Sequence, residues 1–211
     1  MNLNVKEALS VYFICGTQDV VRPLDEILTE ALEAGITMFQ LREKGEGSIQ
    51  DKEERYALAR RLKQLCSSYH VPFVVNDDVE LALEVEADGL HIGQDDGDAS
   101  KIKGRLPSSM LFGISAYTVE EAEQAIRDGA DYIGVGPMYA TRSKADAKSA
   151  VGPERIRLMR DQGVDLPIVA IGGITTSHVK EIKKAGADGV SIISAIARAS
   201  SIEKAVRLFK G

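Results

Sequence analysis

The sequence predicts a single-domain α/β protein, a (β/α)8 barrel spanning residues 1–211. Three observations carry that expectation. One phrase recurs at helix-to-strand junctions: Ala34-Gly35-Ile36-Thr37-Met38-Phe39, Ala87-Asp88-Gly89-Leu90-His91-Ile92, Gly129-Ala130-Asp131-Tyr132-Ile133 and Gly186-Ala187-Asp188-Gly189-Val190. Glycine at a helix end accepts the left-handed conformation, and the chain then turns straight into a strand. Short apolar runs also alternate eight times with helical patterns. Finally, those runs are apolar on both faces, as required when helices cover one side and a packed core fills the other.

In order, the strands fall near 11–15, 37–41, 72–76, 89–93, 111–115, 132–136, 167–172 and 189–194. The intervening helices fall near 23–34, 48–69, 78–86, 98–104, 118–128, 152–162, 175–185 and 201–210. Ser48 is placed to start the second helix, and Thr118 with Glu121 forms a capping box for the fifth. The alternative, a doubly wound open sheet, lacks its dinucleotide fingerprint. Gly172-Gly173 and Gly134-Val135-Gly136 are too sparse for G-x-G-x-x-G.

Composition narrows the function. The formal net charge of −6 argues against a nucleic-acid binder, whose surface must be basic. No apolar run reaches the length of a membrane span, and the opening MNLNVKEALS lacks a signal-peptide pattern, so a cytoplasmic location is expected. Cys15 and Cys66 have no metal-ligand spacing and read as buried, reduced thiols. His70, His91 and His178 have no partner motif and read as satisfied or surface histidines. G-x-S-x-G, H-E-x-x-H and Cys/His pairings are missing, which removes acyl transfer and zinc chemistry.

A barrel gathers its C-terminal strand ends on one face, where its chemistry is kept. Here that face collects Gln40, Arg42 and Lys44, then Asn76-Asp77, Gln94-Asp95-Asp96, Ser115, Gly136-Pro137, Gly172-Gly173 and Ile193-Ser194. In a right-handed βαβ unit, Asp77 and Asp96 end neighbouring strands. Carboxylates so placed suit a hard cation such as Mg²⁺, although Asp77 could equally cap a helix and Asp96 sit in a turn. Arg42 and Lys44, two apart on extended chain, can face those acids and hold a diphosphate. Gly172-Gly173 and Ile193-Ser194 follow strands seven and eight, the usual phosphate corner of this barrel. The connection from Pro137 to Ala150 is the longest and carries Thr141, Ser143, Lys144 and Lys148. It reads as a polar, mobile loop near 137–151 that closes over anionic substrates.

Seven ordered segments resemble thiamine phosphate synthases: QLREK (40–44), VPFVVNDDVELAL (71–83), ADGLHIGQDD (87–96), GISAYTVEEA (113–122), DGADYIGVGPMYATRSK (128–144), IVAIGGIT (168–175) and AGADGVSIISAI (185–196). The resemblance implies a transferase of thiamine biosynthesis that joins hydroxymethylpyrimidine diphosphate to hydroxyethylthiazole phosphate, releasing pyrophosphate. It further implies that Gln40, Arg42, Lys44, Asn76, Ser115 and Lys144 hold the pyrimidine diphosphate and that Asp77 and Asp96 ligate Mg²⁺. Thr141, Ser143, Gly173, Ile193 and Ser194 would hold the thiazole phosphate. Arg42, Lys44, Ser115 and Lys144 would form the catalytic set, with Ser115 orienting the pyrimidine. The choice of Asp96 over Asp95 rests on this resemblance. The loop departs from the family pattern Pro-Thr-x-Thr-Lys, reading Ala-Thr-Arg-Ser-Lys. The related thiazole tautomerases need no diphosphate–metal site, so Lys44, Asp77, Asp96 and Lys144 together favour the synthase. The partners expected are small molecules alone, without nucleic acid or membrane. The oligomeric state stays open, a homo-oligomer included.

Overall fold

The structure is a computed structural model that describes residues 4–141 and 149–210. Eight parallel strands close into one barrel in sequence order: β1 (Val11–Cys15), β2 (Met38–Leu41), β3 (Phe73–Asn76), β4 (Gly89–Ile92), β5 (Leu111–Ala116), β6 (Tyr132–Val135), β7 (Ile168–Ile171) and β8 (Gly189–Ile192). β1 pairs with both β2 and β8, which shuts the sheet and leaves no edge.

The helices in chain order are α1 (Val5–Ala8), α2 (Leu24–Ala34), α3 (Lys52–Ser68), α4 (Val79–Glu84), α5 (Ala99–Lys103), α6 (Val119–Arg127), α7 (Glu154–Asp161), α8 (Val179–Lys184), α9 (Ser194–Ala197) and α10 (Ile202–Lys210). Whereas the 3-10 turn Thr176–His178 is the opening of the helix expected near 175–185, the short α1 and α9 and the 3-10 turn Thr17–Asp19 go beyond the eight helices expected from the sequence. They are too short to show periodicity. The start expected at Ser48 is corrected to Asp51, whose carboxylate accepts the Glu54 N–H at 2.8 Å. Ser48 instead turns its hydroxyl back onto the Gly45 carbonyl, closing a local turn. At α6, Thr118 accepts from the Glu121 N–H, as the capping box requires, but the Glu121 carboxylate reaches the Tyr117 N–H.

Strand alternation sorts the core into two layers. Phe13, Phe39, Phe73 and Phe112 belong to the layer under the helices, where neighbouring rings pack 5.6 and 6.1 Å apart in the first two pairs. Tyr12, Ile14, Met38, Val74, Tyr132 and Val169 fill the barrel itself, with Ala8 and Leu9 in the same cluster. The barrel is a packed core and not a pore.

The repeated phrase has a physical cause. The residues preceding the even strands, Thr37, Asp88, Asp131 and Asp188, each accept the N–H at the start of the preceding odd strand. Val11, Phe73, Phe112 and Ile168 are the donors, all at 2.8 Å. The main chain answers, with the N–H of each phrase residue donating to the carbonyl of that same partner at 2.7–2.9 Å. The three aspartates also meet a base: Lys63, Lys103 and Arg160. Four side-chain clamps thus fasten β1 to β2, β3 to β4, β5 to β6 and β7 to β8 at their N-terminal ends. This end is where barrels place stability and not chemistry.

Candidate active site

Both strand ends singled out in the sequence reach the same rim. Lys44, three residues past the end of β2, places its ammonium 2.6 Å from Asp77 Oδ2 and 3.5 Å from Asp96 Oδ1. The cleft around them is completed by Leu41, Glu43, Asn76 and Arg55. Asp77 is not the helix cap: the neighbouring Asp78 caps α4, accepting the Leu81 N–H at 2.9 Å. Asp77 adopts a left-handed backbone (φ 61°), uncommon outside glycine, and donates its N–H to the His91 carbonyl. That conformation turns its carboxylate toward Asp96. Asp96 does serve a turn, accepting the Gly93 N–H at 2.8 Å, while Asp98 caps α5.

The two carboxylates are close enough to disturb each other. Burial lifts Asp77 above the ordinary carboxylate range; Lys44 opposes this and the adjoining Asp96 reinforces it. Burial also works against Asp96, but hydrogen bonds from Asp77, the Gly93 N–H and Lys44 outweigh it and hold this carboxyl low. Burial likewise opposes the charge on Lys44, and the Asp77 bond and both acids reverse the balance, raising the ammonium's pKa. A cation between two acids is therefore what this rim demands, and the Lys44 ammonium now fills that place.

Below the rim lies a small polar floor lined by Tyr12, Gln40, His91 and Ser115 among others. Gln40 Nε2 donates to Tyr12 Oη (2.7 Å), and Tyr12 Oη meets Tyr132 Oη at 3.0 Å. Tyr132 Oη meets His91 Nδ1 at 3.2 Å, and His91 Nε2 meets Ser115 Oγ at 3.0 Å. Gly113 makes this chain possible, since a Cβ there would fall onto the Tyr132 ring and His91 Nδ1. The Gln94 side chain holds the Ser115 carbonyl. Sequence reasoning read His91 as satisfied, which it is, and passed over Tyr12 and Tyr132. A Tyr, a His and a Tyr on the same face of three strands were the available signal.

Arg42 is buried, close enough for its charge to act on both Asp19 and Lys44, and its carbonyl accepts from Gln18 Nε2. Glu43, also overlooked, ties its own segment down by accepting the Thr17 N–H, the Thr17 hydroxyl and the Ile49 N–H at 2.6–2.8 Å. On the far side, Met138 and Tyr139 N–H groups donate to the Ile171 and Gly172 carbonyls, so the loop after β6 lies against β7. Gly173 has φ 63°, and a Cβ on it would meet the Tyr139 and Ala140 carbonyls. The glycine pair therefore lets this loop approach, a duty distinct from the phosphate contact expected of it. Thr141 ends the described part of the loop. Ile193 and Ser194 stand at the start of α9. Ser143, Lys144 and Lys148 lie outside the described residues.

A closed parallel barrel whose C-terminal rim joins paired acids, a lysine and a glycine-lined corner defines a class: barrel enzymes that act on small molecules at the C-terminal ends of their strands. A family model described as thiamine monophosphate synthase matches residues 11–196. The chain is 56% identical to the thiamine-phosphate synthase of Geobacillus thermodenitrificans over 92% of its own length and 87% of that protein's. It is 52% identical to the Listeria welshimeri thiamine-phosphate synthase, covering 94% and 97% of the two chains. Among solved structures, thiamine phosphate pyrophosphorylase from Pyrococcus furiosus superposes with a TM-score of 0.87 at 35% identity, over 98% of this chain and 96% of that one. The chain belongs to the thiamine monophosphate synthase family and is a transferase of the thiamine-phosphate diphosphorylase type. No described helix is long and apolar enough to cross a membrane.

Proposed function

We propose that this enzyme transfers the hydroxymethylpyrimidine group from its diphosphate to the ring nitrogen of hydroxyethylthiazole phosphate, giving thiamine phosphate and pyrophosphate. The observation that carries the reading is the Lys44 ammonium seated between Asp77 and Asp96 at the ends of β3 and β4. A tautomerase acting on a single phosphate has no use for that arrangement.

The donor set fits Mg²⁺: two carboxylate oxygens already hold a cation between them, and hard oxygen ligands are its preference. No cluster of three or more metal-ligating side chains occurs among the described residues, so substrate and water oxygens must complete the shell. Mg²⁺ bound by Asp77 and Asp96 would supply charge neutralisation at the diphosphate. Lys44 would offer its ammonium to the diphosphate oxygens, with Arg42 and Lys144 as further cations. Gln40, Asn76 and Ser115 orient the pyrimidine. Thr141, Ser143, Gly173, Ile193 and Ser194 fix the thiazole phosphate and hold its nitrogen near the reacting methylene.

The C–O bond to the diphosphate breaks first and the electron pair leaves with pyrophosphate. The pyrimidine's amino group stabilises the resulting carbocation-like methylene, and the thiazole nitrogen adds to it. The attacking ring nitrogen carries no proton that must be removed, so no general base is needed. The test is direct. Purified enzyme with both substrates and Mg²⁺ forms thiamine phosphate, and EDTA abolishes it. Absence of product with metal present would defeat the reading; turnover undiminished by EDTA would defeat the metal assignment.

A further inference from the structure

We propose that the buried chain Gln40–Tyr12–Tyr132–His91 is a positioning device that fixes the polarity of Ser115. Through it, the serine accepts a hydrogen bond from His91 Nε2–H and presents its own hydroxyl proton to the pyrimidine substrate. This rests on the synthase reading for the identity of that substrate; the polarity itself rests on the hydrogen bonds alone.

With the Gln40 amide nitrogen facing Tyr12 Oη, only one direction satisfies every hydroxyl. Tyr12 is fully buried, and its hydroxyl has two partners, the Gln40 amide N–H and the Tyr132 hydroxyl. Gln40 can only donate to it from that nitrogen, so the Tyr12 proton goes to Tyr132 Oη. The Tyr132 proton must then go to His91 Nδ1. A neutral imidazole that accepts at Nδ1 carries its proton on Nε2, which therefore donates to Ser115 Oγ. Ser115 is left with a proton to give. Running the chain backwards, from Ser115 into His91, leaves the Tyr12 proton with no acceptor inside a packed barrel, the arrangement proteins avoid.

Two consequences follow for chemistry. His91 does not activate Ser115 as a nucleophile, because a base would have to accept from the hydroxyl; the polarity is opposite to that of a nucleophilic serine–histidine pair. And Ser115 selects an acceptor, such as an unprotonated ring nitrogen, on the group that enters the floor. Gly113 leaves room for the imidazole and phenol, while Gln94 holds the serine carbonyl, so the hydroxyl's anchor does not wander.

The experiment is histidine ¹⁵N NMR on labelled, substrate-free enzyme, with His91 assigned by loss of its signals in His91→Gln. The expected result is protonated Nε2 and bare Nδ1. A proton on Nδ1 overturns the proposal, whatever the enzyme turns over. Tyr132→Phe removes the donor to Nδ1 and should move His91 toward the Nδ1–H form. It should also raise KM for the pyrimidine diphosphate about tenfold, the scale of one substrate hydrogen bond, with KM for the thiazole phosphate unchanged. Tyr12→Phe, one link further back, should shift both readouts the same way by less. An unmoved tautomer in Tyr132→Phe, or an equal rise in both KM values, overturns the device. Should wild-type enzyme form no thiamine phosphate, the synthase reading falls, and the tautomer measurement still decides the polarity.

Discussion

Asp77 and Asp78 divide two tasks that one residue could not perform together. The cap of α4 needs a carboxylate turned back onto the Leu81 N–H, and Asp78 supplies it. Asp77 is thereby released to face Asp96 and Lys44 from a left-handed backbone. Replacing either acid with asparagine keeps the shape and removes a charge from the cation site. Asp77→Asn and Asp96→Asn should each lower kcat by about 10²-fold, the scale of losing one transition-state stabiliser, in steady-state assays at saturating Mg²⁺. Near-wild-type rates in both would reject their role as ligands. The rim was legible in the sequence because acids and bases at strand ends are visible as letters. The allotment between neighbouring aspartates was not, because it depends on a single φ angle. The floor was less legible still. Gln40, Tyr12, Tyr132, His91 and Ser115 come from five strands, and each looks like an ordinary barrel residue until the sheet closes.

At the scale of elements, the four clamps explain why an aspartate, or Thr37 at the first, stands just before every even strand. Asp188 makes the heaviest use of the position: it accepts from the Ile168 N–H, pairs with Arg160 at 2.9 Å and lies 3.5 Å from Lys6. Asp188→Ala strands the Ile168 N–H and takes the counter-charge from the Arg160 guanidinium, which keeps the Gly186, Val164 and Leu166 carbonyls. The cost should be about 2 kcal/mol, which lowers Tm by about 4–8 °C in a domain of this size, with kcat retained in the folded fraction. An unchanged melting curve would show that the clamp is decorative. Strand and helix positions were readable to within a few residues because the apolar periodicity is strong. The start of α3 was not, since Ser48 and Asp51 are both good caps and only the glycine-rich loop before them decides between the two. The short α1 and α9 carry too few residues to leave a periodic trace.

Across the whole molecule, the two thiols sit in the layer between strands and helices. Burial, with nearby acids adding to it, pushes Cys15 well above the usual thiol range and Cys66 up to about 12. Raised values mean that both are neutral near pH 8 and lack the thiolate that attacks disulfide reagents. Folded enzyme should therefore release almost no chromophore from a thiol-titrating disulfide at that pH, and denatured enzyme should titrate two thiols. Rapid labelling of the native protein would contradict the closed core. The barrel was predictable at this scale because eight alternations leave few topologies that also bury both strand faces.

The clamps also partition the chain into units of supersecondary structure. Each clamp spans 15–26 residues and closes within one strand–helix–strand step, whereas α3, α5 and α7 join one clamped pair to the next. Both chain ends come to the clamped face: the Ala8 carbonyl accepts from Thr37, and the Lys210 side chain lies beside Gly35. A circular permutant that links those ends and reopens the chain at residues 105–109, after α5, cuts no clamp and touches none of the rim. One reopened between α2 and β2 separates Thr37 from Val11. The first should fold and melt cooperatively close to the parent, and the second should melt measurably lower, as differential scanning calorimetry would show. The barrel is in this sense four ribbons laced together, and the lacing is on the face away from the chemistry.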